Sequence, residues 1–243
     1  MNAQTRFYKN ASVAARENGF GVMLDQYQLR TPKGSEFTAP TAALAELVAG
    51  EWNAQGELIG PDSMPVTRLC FASVDLAMMH GQQIVDHIVK YAETDLLCHR
   101  AETPSGLVAR QREAWDPILA WAEEALQVRL PVVTGIIAAD VAGPDIALLR
   151  TRANGLDDFR LTGLSQAVSL TGSALLGFAL LEGRLDAEGA YAAAVLDDTW
   201  NQETWGTDME AQARLARIHG ELQALGKFFA AMNNAGAGFE RRD

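Results

Sequence analysis

Residues 19–52 read GFGVMLDQYQLRTPKGSEFTAPTAALAELVAGEW, and the hydrophobic period changes within them. Phe20, Val22 and Leu24 alternate with Gly21, Met23 and Asp25, the pattern of a strand with one buried face. Beyond Pro40 the period becomes helical: Leu44, Leu47, Val48 and Trp52 fall on one side, Thr41 is placed to cap the start, and Gly56 lies near the stop. The alternating side extends back to Arg6. Short β-favouring runs are punctuated there by Asn10, Asn18-Gly19, Asp25-Gln26 and Pro32-Lys33-Gly34. Asn-Gly tolerates positive φ and is a strong hairpin signal. The spacing predicts antiparallel hairpins over residues 6–39.

Helical periodicity dominates the remainder. It predicts helices over Pro65–Thr94 with a break near Gly81, Ser105–Gln127, Asp145–Arg152, Leu156–Leu181, Asp186–Asn201 and Asp208–Met232. In the second of these Trp115, Leu119, Ala122 and Leu126 share a face. Residues 128–137 stay open between strand and loop, because Pro131 weighs against a central strand. The fold class is α+β: a small N-terminal antiparallel β-hairpin unit packed on a larger C-terminal α-helical domain. The expected division is 1–60, the β unit with the first helix, and 61–243, the helical domain, with a glycine-rich tail that frays from about 233. A β unit of that size cannot build a large core alone.

The chain has 243 residues, with 20 Lys plus Arg against 31 Asp plus Glu, a formal charge of −11. That balance argues against a nucleic-acid binder and against docking on anionic membranes. Residues 161–181 carry no charge and have the length of a membrane span. Three glycines and several hydroxyl residues interrupt them, which favours a buried helix and no stable membrane insertion. Cys70 and Cys98 are too few for a disulfide framework. No apolar leader opens the sequence, so the expected location is the cytoplasm, or the mitochondrial matrix if a leader has been removed.

Catalytic and metal signatures are scarce. No nucleophile elbow, P-loop or His-Glu-x-x-His occurs, and Gly19-Phe20-Gly21 and Gly236-Ala237-Gly238 lack the context of a phosphate loop. His80 and His87 stand two helical turns apart, too far to share an ion, and Cys98-His99 point in different directions; no metal or cofactor is expected. Asp95, His99 and Arg100 allow a small-molecule enzyme working in a helical pocket, or a structural ion pair. The five tryptophans sit beside charge, where they serve as boundary anchors or as binding hot spots. Residues 186–210 hold seven carboxylates and no Lys or Arg, either a solvated face or a strip reserved for a basic partner.

Several stretches together resemble one family. They are Arg6-Phe7-Tyr8-Lys9, Gly19-Phe20-Gly21-Val22-Met23-Leu24-Asp25, Leu29-Arg30-Thr31-Pro32, Glu51-Trp52-Asn53-Ala54-Gln55 and Met64-Pro65-Val66-Thr67-Arg68-Leu69. Glu93-Thr94-Asp95-Leu96-Leu97-Cys98-His99-Arg100-Ala101, Trp115-Asp116-Pro117-Ile118-Leu119-Ala120-Trp121 and Gln202-Glu203-Thr204-Trp205-Gly206 complete the set. The chain resembles the F1-ATPase assembly chaperones that act on the alpha subunit of ATP synthase, known in mitochondria as assembly factor 2. Gln26-Tyr27 stands where that family usually has Gly-Arg, and His99 where Tyr is common.

The resemblance implies a molecular chaperone with no chemistry of its own. It would bind the free alpha subunit and prevent its aggregation until the beta subunit displaces it. A ring subunit alone exposes a large apolar interface, and a holdase must cover it yet yield to the larger native one. A stable adaptor retained in the assembled complex is the other non-enzymatic possibility. The family's important acidic position falls on Glu203, so Glu203 is the expected key contact, with Trp200, Trp205, Asp208 and Glu210 around it. Trp52, Asp95, Arg100 and Trp115 are expected to be structural.

Overall fold

The computed structural model describes residues 4–135, 141 and 143–233, leaving aside the side chains of 76–80. The far end of the 128–137 stretch, the side chain of His80, the Gly236-Ala237-Gly238 run and the expected fraying tail lie outside the described residues. The chain forms two compact units, Met1–Met79 with Lys227–Asp243, and His80–Gly226. The class is α+β as read, and among the described residues the antiparallel strands are confined to the N-terminal unit.

In the first unit β2 (Ala11–Arg16) and β3 (Gly19–Leu24) form a hairpin with Val13 opposite Val22. Gly19 has φ of +137° and takes the closing position, where a Cβ would run into the carbonyl oxygen of Ala39. β3 is also flanked by β4 (Tyr27–Gln28) and β5 (Thr38–Ala39), so it is the centre of the sheet. Its inward Val22 and Leu24 are buried with Leu29 and Phe37. β1 (Gln4–Thr5) pairs instead with β6 (Leu58–Ile59), beyond the first helix.

That helix, α1 (Ala42–Asn53), starts at Thr41, whose Oγ1 accepts the Leu44 N–H at 3.2 Å. The same hydroxyl donates to the Ala231 carbonyl at 2.9 Å, which ties the end of the described chain to the unit formed by its beginning. Leu44, Val48 and Trp52 are buried on one face. Trp52 is 8% exposed, and Tyr8 Oη donates to its carbonyl at 2.6 Å while the two rings stand 5.6 Å apart. Among the described residues the Trp52 Nε1 finds no hydrogen-bond partner.

The units divide the chain at 79, not at 60, and two carboxylates supply the reason. Glu51 on α1 accepts the N–H groups of Val66 and Thr67 at 2.8 and 2.7 Å, capping the start of α2 (Pro65–Ala72). Asp75, buried in the π turn that follows, accepts from Thr31 Oγ1 at 2.7 Å. Residues 61–75 are thereby held to the hairpins. The helix does not break at Gly81; it runs on through the π turn as α3 (Met78–Glu93).

Among its described residues the second unit is helical, with one exception: β7 (His99–Arg100) and β8 (Val133–Thr134) make a two-residue parallel pair. α4 (Ser105–Trp121) continues into a π turn and stops at Gln127, which has φ of 59°. α5 (Gly143–Asn154) follows. The apolar run 161–181 is two helices, α6 (Asp158–Thr171) and α7 (Ala174–Leu181), where the periodicity predicts one. Gly172, at φ of 69°, ends the first, and Ser173 Oγ accepts the Leu176 N–H at 3.0 Å to begin the second. The two pack closely at Gly177, where a Cβ would lie 2.7 Å from Val168 Cγ2. Among the described residues no helix is long and apolar enough to cross a membrane. A second expected helix also divides, into α8 (Ala187–Ala194) and α9 (Leu196–Trp205), at Val195. α10 (Met209–Asn233) closes the described chain.

Removing a buried indole leaves a cavity that the surroundings fill only in part. Trp52→Ala is expected to cost about 3–5 kcal/mol in a denaturant melt. Trp52→Arg costs more, by burying a charge. Trp52→Phe costs much less than either, since the lost N–H bonds nothing.

Candidate functional site

The second unit is organised around Asp95. Its carboxylate is buried and accepts the Leu97 and Leu175 N–H groups, both at 3.1 Å, with a further hydrogen bond from Ser173. One side chain thus caps both the 95–98 turn and α7. Burial pushes its carboxyl up to about 6, against the downward pull of these hydrogen bonds. Arg100 follows on the same turn. It donates to the Leu97 carbonyl at 2.8 Å, pairs with Asp116 at 2.8 Å and lies 5.1 Å from the centre of the Trp115 ring. Trp115 is fully buried and donates its Nε1–H to the Ala193 carbonyl at 3.0 Å, joining α4 to α8. Asp95 is therefore engaged with backbone, and Arg100 with backbone and with Asp116. Burial also raises both thiols: Cys70 well above its ordinary value, and Cys98 to about 12, with the Asp95 charge adding to the effect. Among the described residues no group of three or more His, Cys, Asp or Glu is placed to hold a metal.

The acidic stretch is not left without cations. Glu203 Oε2 lies 2.7 Å from Arg110 Nη1 of α4, Asp198 pairs with Arg214 of α10 at 2.6 Å, and Glu188 Oε1 lies 2.7 Å from His219 Nε2. Asp197 accepts from Gln111 at 2.8 Å, and Asp186 caps α8 through the Gly189 N–H. The basic partners come from other helices, which is why a search confined to 186–210 misses them. Arg110 in particular carries no local signal in the sequence.

The five candidate contact residues fall into two groups. Trp200 is half-buried: its ring lies against Gly106, where a Cβ would be 2.7 Å from Cη2, and the Arg110 guanidinium lies 4.9 Å from its centre. It is a packing element between α9 and α4 rather than a free anchor. Trp205 is 84% exposed at the last residue of α9, where Gly206 turns the chain with φ of 93°. Asp208 and Glu210 are exposed just beyond, with Asp208 accepting the Glu210 N–H at 3.2 Å. Because the chain turns at 206–208, Glu210 belongs to α10 and not to the face of α9 that carries Glu203. Met209, 85% exposed, stands among them and was not marked by the sequence pattern. The α9–α10 corner thus exposes two large apolar side chains, Trp205 and Met209, within a stretch that also carries Glu203, Asp208 and Glu210.

Comparison with known proteins gives one answer. The profile of the ATP12 chaperone protein family matches residues 5–123. The crystal structure of Atp12 from Paracoccus denitrificans is 35% identical, covers 93% of this chain and 97% of its own, and superposes with a TM-score of 0.88. A protein from Agrobacterium tumefaciens is 39% identical over 95% of this chain and 87% of its own, with a TM-score of 0.89. The mitochondrial protein atp12 of Schizosaccharomyces pombe is 25% identical over 214 residues, 83% of this chain and 74% of its own length.

The raised carboxyl of Asp95 gives a pH signature. Its folded value of about 6 exceeds the unfolded one, near 4, so its contribution to stability is complete below pH 4 and is lost as pH rises through 6. Against an Asp95→Asn variant, which does not titrate, the wild-type advantage in melting experiments is expected to fall on the order of 2–3 kcal/mol between pH 4 and pH 7.

Proposed function

Because the chain belongs to the ATP12 chaperone family, we propose that it is an assembly chaperone for the F1 sector of ATP synthase, binding the free alpha subunit until the beta subunit displaces it. The carrying observation is the α9–α10 corner, where Trp205 and Met209 stand almost fully in solvent in a stretch that also carries three exposed carboxylates. Exposed aromatic and Met side chains with flanking charge are the composition of a binding surface and not of an idle one. The complementary client surface is apolar with basic side chains at its margin. An unassembled ring subunit offers such an apolar surface to solvent.

The role calls for shielding and release, and no bond is made or broken. In this reading the protein acts without catalysis and without a cofactor, and Asp95, Arg100 and Trp115 serve the scaffold. Its place of work is where F1 is put together: the cytoplasm of a bacterium, or the matrix of a mitochondrion. The mitochondrial location of the fission-yeast relative supports this.

Glu203 is the central contact in this reading. Its carboxylate takes a Lys or Arg of the alpha subunit in a charge-assisted hydrogen bond worth about 1.5–3 kcal/mol. Glu203→Lys is expected to weaken binding of purified alpha subunit by about 10- to 100-fold. The midpoint of the melt stays nearly unchanged, since an exposed pair such as Glu203–Arg110 contributes at most about 1 kcal/mol. Titration calorimetry beside circular dichroism separates the outcomes. Lost stability with retained binding removes Glu203 from the client surface.

A further inference from the structure

Resting on the reading that Glu203 receives a client cation, we propose that Arg110 is a resident competitor for that position: an internal guanidinium that occupies Glu203 in the free chaperone and gives way when the client's Lys or Arg arrives. Three observations carry this. First, Arg110 Nη1 lies 2.7 Å from Glu203 Oε2, so the carboxylate is occupied when no client is bound. Second, both side chains are about half exposed, 47% and 50%, so a second cation has a path to the same oxygens. Third, the Arg110 guanidinium also lies 4.9 Å from the centre of the Trp200 ring.

The third point makes the exchange feasible. Trp200 is wedged against α4 at Gly106 and half-buried, so its face is a fixed platform. On leaving Glu203, Arg110 keeps that cation–π contact and returns the rest of its hydration to bulk water. What it loses is one exposed ion pair, a weak interaction in high dielectric. A client cation that brings an apolar segment with it, for Trp205 and Met209, gains more than Arg110 loses.

Occupying the carboxylate internally also serves selectivity. A bare Glu203 in a chain of net charge −11 attracts any basic polypeptide. With Arg110 in place, a cation alone exchanges one surface pair for another and gains little. Only a ligand that also supplies apolar contact displaces it.

The test uses the full-length protein and purified F1 alpha subunit. Arg110→Gln removes the competitor and is expected to bind about two- to fivefold tighter, the equivalent of the lost exposed pair. Arg112→Gln is the control. Arg112 is exposed two residues along the same helix and makes no ion pair among the described residues, so its loss changes the net charge equally without freeing Glu203. It is expected to leave affinity unchanged. In a Glu203→Gln background, Arg110→Gln is expected to have no effect. Weaker binding by Arg110→Gln makes Arg110 a positioning residue for Glu203 and overturns the proposal. Equal tightening by Arg112→Gln, or tightening that persists without Glu203, reduces the effect to bulk charge and overturns it as well. If the wild type binds no alpha subunit at all, the proposed function itself fails, and this inference with it.

Discussion

A single buried carboxylate sets the frame of the helical unit. Asp95 accepts backbone N–H groups from its own turn and from the first turn of α7, two segments far apart in sequence. Without it, two sets of buried donors lose their acceptor, and each such loss costs more than the bond is worth when made. The turn it holds delivers Arg100 to Asp116 and to the face of Trp115, and Trp115 in turn fixes α4 to α8 through the Ala193 carbonyl. The position of α4 decides where Gly106 and Arg110 stand, and hence how α9 lies. Burial alone would make so central a carboxylate costly. The hydrogen bonds recover part of that cost, and the raised pKa is the remainder.

The surface follows from the frame. α9 is held on one side by Trp200 against α4 and by the pairs Arg110–Glu203, Gln111–Asp197 and Arg214–Asp198. Its last residue, Trp205, reaches past these contacts into solvent, and Met209, beyond the turn at Gly206, is equally exposed. A helix secured along its length by Trp200 and by polar pairs, with an exposed indole at its end, offers a binding edge without exposing its core. That suits the hold-and-release role proposed for it.

The sequence made the sheet legible because alternation, Pro40 and Thr41 mark it locally. The same holds for the buried side of α1, with Leu44, Val48 and Trp52 at helical spacing. The split between α6 and α7 had a signal in Gly172-Ser173, overridden by the apolar run on both sides. The break at Val195 had none: it depends on backbone angles of −107° and 17° in a residue that favours neither Gly nor Pro chemistry. The domain boundary eluded a local reading because it is set by Glu51 reaching to residues 66 and 67 and by Asp75 reaching to Thr31. Of the proposed contact surface, Glu203, Trp205, Asp208 and Glu210 stand out in the sequence as an acidic, aromatic stretch. Arg110 and the inward packing of Trp200 do not, because a pair formed between α4 and α9 leaves no trace in the spacing of either.

The central claim is that this surface shields an F1 subunit and then releases it. Light scattering of purified alpha subunit at a temperature where it aggregates tests this most directly, with and without this protein, followed by addition of beta subunit and separation of the products by size. The account predicts suppressed scattering that stays low as beta enters, with this protein recovered apart from the assembled alpha–beta species. Unsuppressed aggregation contradicts shielding, and co-elution of this protein with the assembled species contradicts release.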